Sequence, residues 1–95
     1  MNNNSVILSF DKSIPNLAGY DYGVETYEKQ IKGKIDLNKE FQIVFPDYIE
    51  MVASSFVQGL FSDIVKNIGL ASTQERLNID AANADIAKSI KGKLW

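Results

Sequence analysis

A stripe of apolar residues runs through the second half of the chain and limits the possible folds. Its members fall one, four, five, eight, nine and twelve positions after the first, which is the spacing of one helix face: Phe56, Val57, Leu60, Phe61, Ile64, Val65 and Ile68. Gly69 follows where a helix stop belongs, and Leu70 is placed to make the apolar contact that accompanies such a stop. The stripe predicts an amphipathic helix, so the rest of the chain must supply the surface that it covers.

Short apolar runs elsewhere in the chain have the length and composition of β-strands. Residues 5–10 (SVILSF) predict a buried strand. Residues 41–45 (FQIVF) predict a second one, which Pro46 ends because proline cannot donate to a ladder. Residues 76–80 (RLNID) alternate apolar and polar side chains, as a short strand does. Residues 14–17 or 35–37 are candidates for an additional edge strand.

Two further helices are predicted on either side of the apolar stripe. From about residue 20 to residue 32, the apolar side chains of Tyr20, Val24, Tyr27 and Ile31 suit one helix face, and Gly33 is the predicted stop. Near the end of the chain, Asp80 or Asn83 caps a helix whose core face is Ala84, Ala87, Ile90 and Leu94. The order βαβαβα predicts a small α/β domain with a mainly parallel sheet of three or four strands and three helices.

The composition excludes several classes of function. The 95 residues fit a single domain, residues 1–95, and the net charge of −2 does not draw nucleic acid to the protein. The sequence contains no cysteine and no histidine, which excludes disulfide frameworks, thiolate zinc sites and the common catalytic triads. The carboxylates are scattered, and no pattern places a pair of them in a cleft. We therefore expect no enzyme, no cofactor, no metal and no nucleic-acid partner.

The chain also lacks the sequence signals of a membrane or secreted protein. No segment approaches the roughly 20 apolar residues that a membrane span needs. The opening MNNNSVILSF has neither the basic region nor the long apolar core of a signal peptide. We therefore expect a cytoplasmic protein without a membrane partner.

Two adjacent serines, Ser54 and Ser55, stand directly before the apolar stripe. Ser55 lies three residues before Gln58, which is the S-x-x-Q form of the capping box. The pattern predicts that the Ser55 oxygen caps the helix by accepting from the Gln58 N–H, while Gln58 reaches back to the N–H of Ser55. A phosphate on Ser55 would meet the positive end of the helix dipole, so capping and modification are compatible.

The same part of the chain resembles a known family. The segment DYIEMVASSF and the helix VQGLFSDIV are similar to the STAS domain of anti-sigma factor antagonists. They are more closely similar to a bacterial STAS-like family of unknown function, whose motif has an I-S-S-S-F-A-D-E-L-F character. The residues in the corresponding places are Val52, Ala53, Ser54, Ser55, Phe56, Leu60 and Phe61. Further on, RLNIDAANADI resembles that family's last strand and the Asn-rich start of its final helix, so the resemblance covers about residues 41–90.

The resemblance implies a protein-binding role. STAS domains bind nucleotide-binding partners, notably kinases of the GHKL type, and in anti-sigma factor antagonists the kinase phosphorylates a serine at this helix start. The corresponding residue here is Ser55, with Ser54 as its neighbour. Two departures alter what a kinase would dock on, because Ala53 replaces the usual acidic residue and Phe56 replaces the usual glycine.

We therefore hypothesise a regulatory, non-enzymatic module of bacterial or phage type that binds a protein partner, with Ser55 as the candidate phosphorylation site. The predicted contact residues lie at the start of the second helix and on the turn before it: Ser54, Ser55, Gln58, Ser62, Asp47, Tyr48 and Glu50. Gln58 and Ser62 are expected on the face opposite the apolar stripe, and Tyr22 is expected to be exposed. The candidate partners are a GHKL-type ATPase and a second copy of the chain. The alternatives are a phage-type accessory or inhibitor protein that reuses the fold and, less favoured, a small ligand- or nucleotide-binding domain.

Overall fold

The computed structural model describes residues 4–94 as a small α/β domain. Its strands are β1 Ser5–Ile7, β2 Asn16–Leu17, β3 Phe41–Val44, β4 Met51–Val52 and β5 Leu77–Asp80. Its helices are α1 Tyr20–Thr26, continued by a π-helical turn Tyr27–Ile31, then α2 Ser54–Ile68, α3 Leu70–Arg76 and α4 Ala84–Gly92. The three predicted strands and the three predicted helices are all present, and β2, β4 and α3 are additional.

The main sheet contains three parallel strands in the order β1-β3-β5. Val6 pairs with Ile43, and Ile43 pairs with Ile79, so one row of side chains crosses all three strands. Each connection moves one strand further in the same direction, and right-handed crossovers of this kind place their helices on one face. The predicted parallel α/β architecture is confirmed.

The described helices cover one face of this sheet and leave the other face open. On the covered side, Phe41 and Ile43 are fully buried. The alternating side chains that form the open face are Ser5, Ile7, Gln42, Val44, Asn78 and Asp80. Ile7 is 74% exposed. The prediction of a buried strand at residues 5–10 is therefore wrong for Ile7, because the helices pack on the opposite face.

A second sheet consists of two short parallel strands. In it Asn16 pairs with Met51, and Leu17 pairs with Val52. The sequence offers residues 14–17 as a candidate edge strand of the main sheet, and the structure places β2 from this segment in the separate sheet instead. Residues 35–37, the other candidate, form no strand. The small sheet matters because β4 leads directly into α2.

The first helix changes its hydrogen-bond pattern near its end. The Lys32 N–H donates to the Tyr27 carbonyl at 2.9 Å, a spacing of five residues that defines the π-helical turn. Tyr27 and Ile31 are buried as predicted, whereas Tyr20 is exposed. Gly33 follows with a φ of 77°, which confirms the predicted stop.

The second helix follows the apolar stripe, and its end differs from the prediction. Gly69 has φ 86° and ψ 159°, a backbone conformation that is essentially restricted to glycine. The chain then enters α3 at once, so Leu70 begins a new helix rather than closing the old one. The three predicted helices are present, and α3 is a fourth. The sequence does not indicate α3 because it is short and buries a single side chain, Thr73, which leaves no apolar period.

The last helix begins as one of the two predicted caps indicates. The Asn83 side chain accepts from the Ile86 N–H at 2.9 Å, whereas Asp80 is the last residue of β5. Ile90 and Leu94 are buried as predicted. Ala84 is exposed, because the first turn of α4 extends beyond the core.

Candidate functional site: the start of helix α2

The small sheet determines where α2 begins. The Glu50 N–H donates to the Pro15 carbonyl at 2.7 Å, and the Ala53 N–H donates to the Leu17 carbonyl at 2.7 Å. Between these two bonds, β4 buries Val52 and leaves Met51 52% exposed. The two serines of the first turn of α2 therefore follow a strand that hydrogen bonds hold in place and that carries an exposed methionine.

The Ser55 side chain joins the starts of two helices. Its Oγ accepts from the Gly19 N–H at 3.0 Å, and Gly19 is the residue that precedes α1. The helix itself begins at Ser54, with Ala53 in the cap position and no side-chain cap. The predicted capping box of Ser55 and Gln58 is therefore wrong, because α2 starts earlier and places Ser55 within its first turn.

Close packing of α1 against α2 brings their first turns together. A Cβ added at Gly59 would lie 2.0 Å from the Tyr20 carbonyl oxygen, and one added at Gly23 would lie 2.3 Å from the Phe56 carbonyl oxygen. Because glycine has no Cβ, the two helix backbones can approach this closely at these positions. Tyr20 is itself 50% exposed, and it lines the groove along the α1–α2 contact together with Ser62 and Asp63.

A cluster of three aromatic rings lies beneath this surface. Tyr22 and Phe56 are 5.3 Å apart between ring centroids, and each lies 6.2 Å from Phe10, all in edge-to-face geometry. Burial raises the pKa of the Tyr22 phenol. The expectation of an exposed Tyr22 is wrong, because its ring packs on Phe56. Since Phe56 is fully buried, it supports the surface from below and is not part of it.

The predicted contact residues of the turn before α2 differ in their surroundings. The Tyr48 hydroxyl accepts from the Phe10 N–H at 3.0 Å and donates to the Phe10 carbonyl, so it holds two loops together. Asp47 is exposed. Glu50 lines a groove of about 160 Å³ between β4 and α4, together with Met51 and Asp85.

Gln58 and Ser62 line an apolar groove rather than an open helix face. Both side chains are half-buried, and the groove has a volume of about 280 Å³. Its other lining residues are Phe61, Val65, Leu70 and Leu94. The prediction that these two residues lie opposite the apolar stripe is wrong, because the start of α3 and the end of the described chain lie beside this part of α2.

A buried tyrosine and a carboxylate lie further along the contact between the first two helices. Burial and, after it, the neighbouring Asp63 carboxylate raise the pKa of Tyr27 to about 12. Both residues line a groove of about 410 Å³ that also includes Lys32 and Lys66. Tyr27 is therefore neutral throughout the physiological pH range.

The described part of the chain contains neither a metal-binding cluster nor a membrane-spanning helix. Within residues 4–94, no three or more Asp or Glu side chains gather in a way that could hold a metal ion. In the same range, none of the helices combines the length and the apolar character needed to cross a bilayer.

Comparison with known proteins identifies the family of the chain. A family model described as a STAS-like domain of unknown function matches residues 23–87, which is more than half of the sequence. The chain belongs to this family. The match includes α2 and both serines of this STAS-like domain, and it confirms the resemblance that the sequence shows. No curated protein and no solved structure matches the chain.

Two exposed residues of the STAS-like domain were missed at the candidate site. Helical spacing predicts that Tyr20 lies in the core, and Met51 lies on a strand too short to be recognised from its sequence. A signal for the first was available, because a glycine inside a helical pattern commonly has a packing reason. Gly23 and Gly59 together predict a close helix crossing, which shifts the buried face of α1 away from Tyr20.

Proposed function

We propose that this STAS-like domain is a non-enzymatic module that binds a protein partner through the surface at the start of α2. The observation that supports it most is a group of exposed side chains on the first turns of α1 and α2 and on β4, the strand that leads into α2. We call this group the α2-start surface, and its members are Tyr20, Met51, Ser54 and Ser55. Tyrosine and methionine are enriched in protein–protein interfaces, where they supply contact area.

The proposed surface revises the set of contact residues that the sequence indicates. Ser54 and Ser55 stay in the set because both are exposed. Tyr48 leaves it, because its hydroxyl is engaged by the Phe10 backbone. Tyr20 and Met51 enter the set, and they provide the apolar area that two serines alone do not.

Ser55 is suited to regulate binding at this surface. The first backbone bond within α2 runs from the Val57 N–H to the Ala53 carbonyl, so the N–H groups before Val57 have no partner inside the helix. A phosphate on Ser55 would add a charge of about −1.5 to −2 beside these groups and beside the Gly19 N–H. The modification would change the charge of the surface without opposing the helix dipole.

The class of partner that we propose is a GHKL-type ATPase, which is the class that the STAS resemblance implies. A photo-crosslinking amino acid at Met51 should capture this partner in host cells. The same amino acid at Lys34, which is exposed on the loop after the π-helical turn, is the matched control and should not capture it. Equal capture of the same protein from both positions would reject the α2-start surface.

The captured partner then allows a test of the Ser55 switch by calorimetric titration. We expect Ser55→Asp to change the affinity at least about tenfold, which corresponds to about 1.4 kcal/mol, and Ser55→Ala to leave it nearly unchanged. Asn38→Asp adds one negative charge at an exposed position of the loop before β3 and should have no effect. Equal affinities for the wild type and both Ser55 variants would reject the switch while leaving the binding role intact.

A further inference from the structure

Strand β5 is an edge strand of the main sheet. One of its edges pairs with β3, and the other edge pairs with no strand among the described residues. The Phe45 N–H donates to the Asp80 carbonyl at 2.8 Å, so the backbone groups of Asp80 face β3. Because backbone groups alternate in direction along a strand, those of Asn78 also face β3, and those of Leu77 and Ile79 face away. Outward N–H and C=O groups of this kind are the template on which another strand pairs.

The two edges of the main sheet differ in how they are closed. Beside β1, the Gln30 side-chain amide accepts from the Ser9 N–H at 2.7 Å and donates to the Ser9 carbonyl at 2.9 Å, as a neighbouring strand would. Beside β5, the Lys91 Nζ donates to the Leu77 carbonyl at 2.7 Å. This contact satisfies one outward carbonyl and leaves the backbone of Ile79 facing a groove.

The groove beside Ile79 has a shape and charge that fit an extended segment. Its volume is about 470 Å³, and it lies between β5, α3 and α4. The apolar side chains that line it are Ile79 and Ala87. The polar ones are the amides of Gln74 and Asn78 and the amino groups of Lys88 and Lys91. No carboxylate is among the described residues that line it. The groove therefore favours a ligand with negative charge.

The topology places this groove where the next strand of the sheet would lie. β5 pairs beside β3 after the crossover through α2 and α3, and α4 follows β5 as a further helix in the same chain order. A parallel strand added after a right-handed crossover would occupy the outer edge of β5. We propose that an extended acidic segment of a protein partner fills this position as a fourth strand. Its main chain pairs with Ile79, an apolar side chain lies on Ala87, and a carboxylate meets Lys88 and Lys91.

The site shares no residue with the α2-start surface, so the proposal stands independently of the function proposed above. The probe is the peptide acetyl-TVEVET-amide, titrated into the isotope-labelled protein and followed by NMR. We expect chemical-shift changes centred on Asn78, Ile79 and Lys88. The peptide acetyl-TVKVKT-amide should bind at least about fivefold more weakly, because the charge of the groove then opposes it.

Two variants and one modified peptide separate strand addition from nonspecific charge attraction. Lys88→Glu should weaken binding of the acidic peptide at least about fivefold, whereas Lys34→Glu, the same charge change at an exposed loop position, should not. Methylation of the backbone nitrogens of the two central residues should abolish binding, because it removes the donors that a ladder needs.

Several outcomes would overturn the proposal. They are no shift change at β5 with millimolar acidic peptide, equal binding of the acidic and basic peptides, and undiminished binding of the methylated peptide. If the protein self-associates and Lys88→Glu abolishes that self-association, the occupant of the groove is a second copy of this chain. That result would overturn the proposal of an acidic partner.

Discussion

At the scale of single residues, the Ser55 hydroxyl connects two helices whose first turns are 36 positions apart in the chain. Gly19, its partner, has a φ of 105° and precedes α1, so its N–H lies outside the helical ladder. The hydrogen bond satisfies this N–H and connects the residue before α1 to the first turn of α2. A stability measurement can therefore separate Ser55 from Ser54, which is exposed and adjacent.

We expect Ser55→Ala to lower the free energy of unfolding by about 0.5–1.5 kcal/mol, because the Gly19 N–H loses its acceptor. Ser54→Ala is the matched control and should change it by less than about 0.5 kcal/mol, as is usual for an exposed position. Ser55→Asp should lose less than the alanine variant, since a carboxylate can still accept. Urea unfolding measures the free energy of unfolding of all three variants. Equal losses for the two alanine variants would contradict the hydrogen bond between Ser55 and Gly19.

The pKa of Tyr27 predicts how stability changes in alkaline solution. The phenol has a pKa of about 12 in the folded domain and about 10 in the unfolded chain, so the folded state holds its proton more tightly. This contribution to stability is fully present below pH 10 and is lost as the pH rises to about 12. We expect Tyr27→Phe to flatten the fall in stability across this interval, as measured by urea unfolding at each pH. An unchanged slope would contradict the raised pKa.

At the scale of the elements, the crossing of α1 and α2 organises the candidate site. Gly23 and Gly59 let the two backbones approach until each glycine faces a carbonyl of the other helix. The same crossing places Ser55 within reach of Gly19. The position of the α2-start surface therefore depends on two glycines that lie outside it.

We expect Gly59→Ala to destabilise the domain by about 1–3 kcal/mol or more, because its Cβ would collide with the Tyr20 carbonyl oxygen and force the helices apart. Gly92→Ala is the matched control, since a Cβ at the end of α4 meets nothing within 4 Å. That variant should stabilise the domain by up to about 1 kcal/mol through helix propensity. Thermal unfolding of both variants is the measurement, and a neutral Gly59→Ala would contradict the close crossing.

At the scale of the whole molecule, a single apolar cluster connects the main sheet, the small sheet and the helices. Its members include Val6, Leu17, Ile31, Ile43, Val52, Phe56, Leu77 and Ile90, which come from nearly every element. The open face of the main sheet contributes little to this cluster. The stability of the domain therefore rests on one layer of contacts between the covered sheet face and the helices.

A single core predicts that the domain unfolds as one cooperative unit. We expect the same urea midpoint from far-ultraviolet circular dichroism, which follows the helices, and from NMR signals of Leu17 and Val52, which follow the small sheet. An earlier loss of the Leu17 and Val52 signals would show that the small sheet, and with it the start of α2, opens separately.

The absence of histidine and cysteine from the chain leads us to expect no intrinsic turnover by the purified protein. The test is steady-state hydrolysis of ATP and of simple ester substrates, with the Ser55→Ala variant as the control for contaminating activity. Turnover that co-purifies with the wild type and disappears in this variant would contradict a purely binding role.

Much of the fold could be predicted from the sequence, because amphipathic periodicity is a local property of the chain. The stripe from Phe56 to Ile68 predicts α2, and the short run before Pro46 predicts β3. The start of α4 is predicted at Asp80 or Asn83, and Asn83 is the cap. In each case neighbouring residues carry the information, because they decide which side of one element is apolar or which group satisfies its first N–H.

The tertiary structure alone decided the features that depend on residues distant in the sequence. Ser55 has the sequence of a cap, yet its partner is Gly19, because the glycine crossing brings the first turn of α1 within hydrogen-bond reach. Ile7 has the sequence of a core residue, yet it is exposed, because the helices lie on the other face of the sheet. Local composition determines what a residue can do, and packing between distant elements determines which partner it meets.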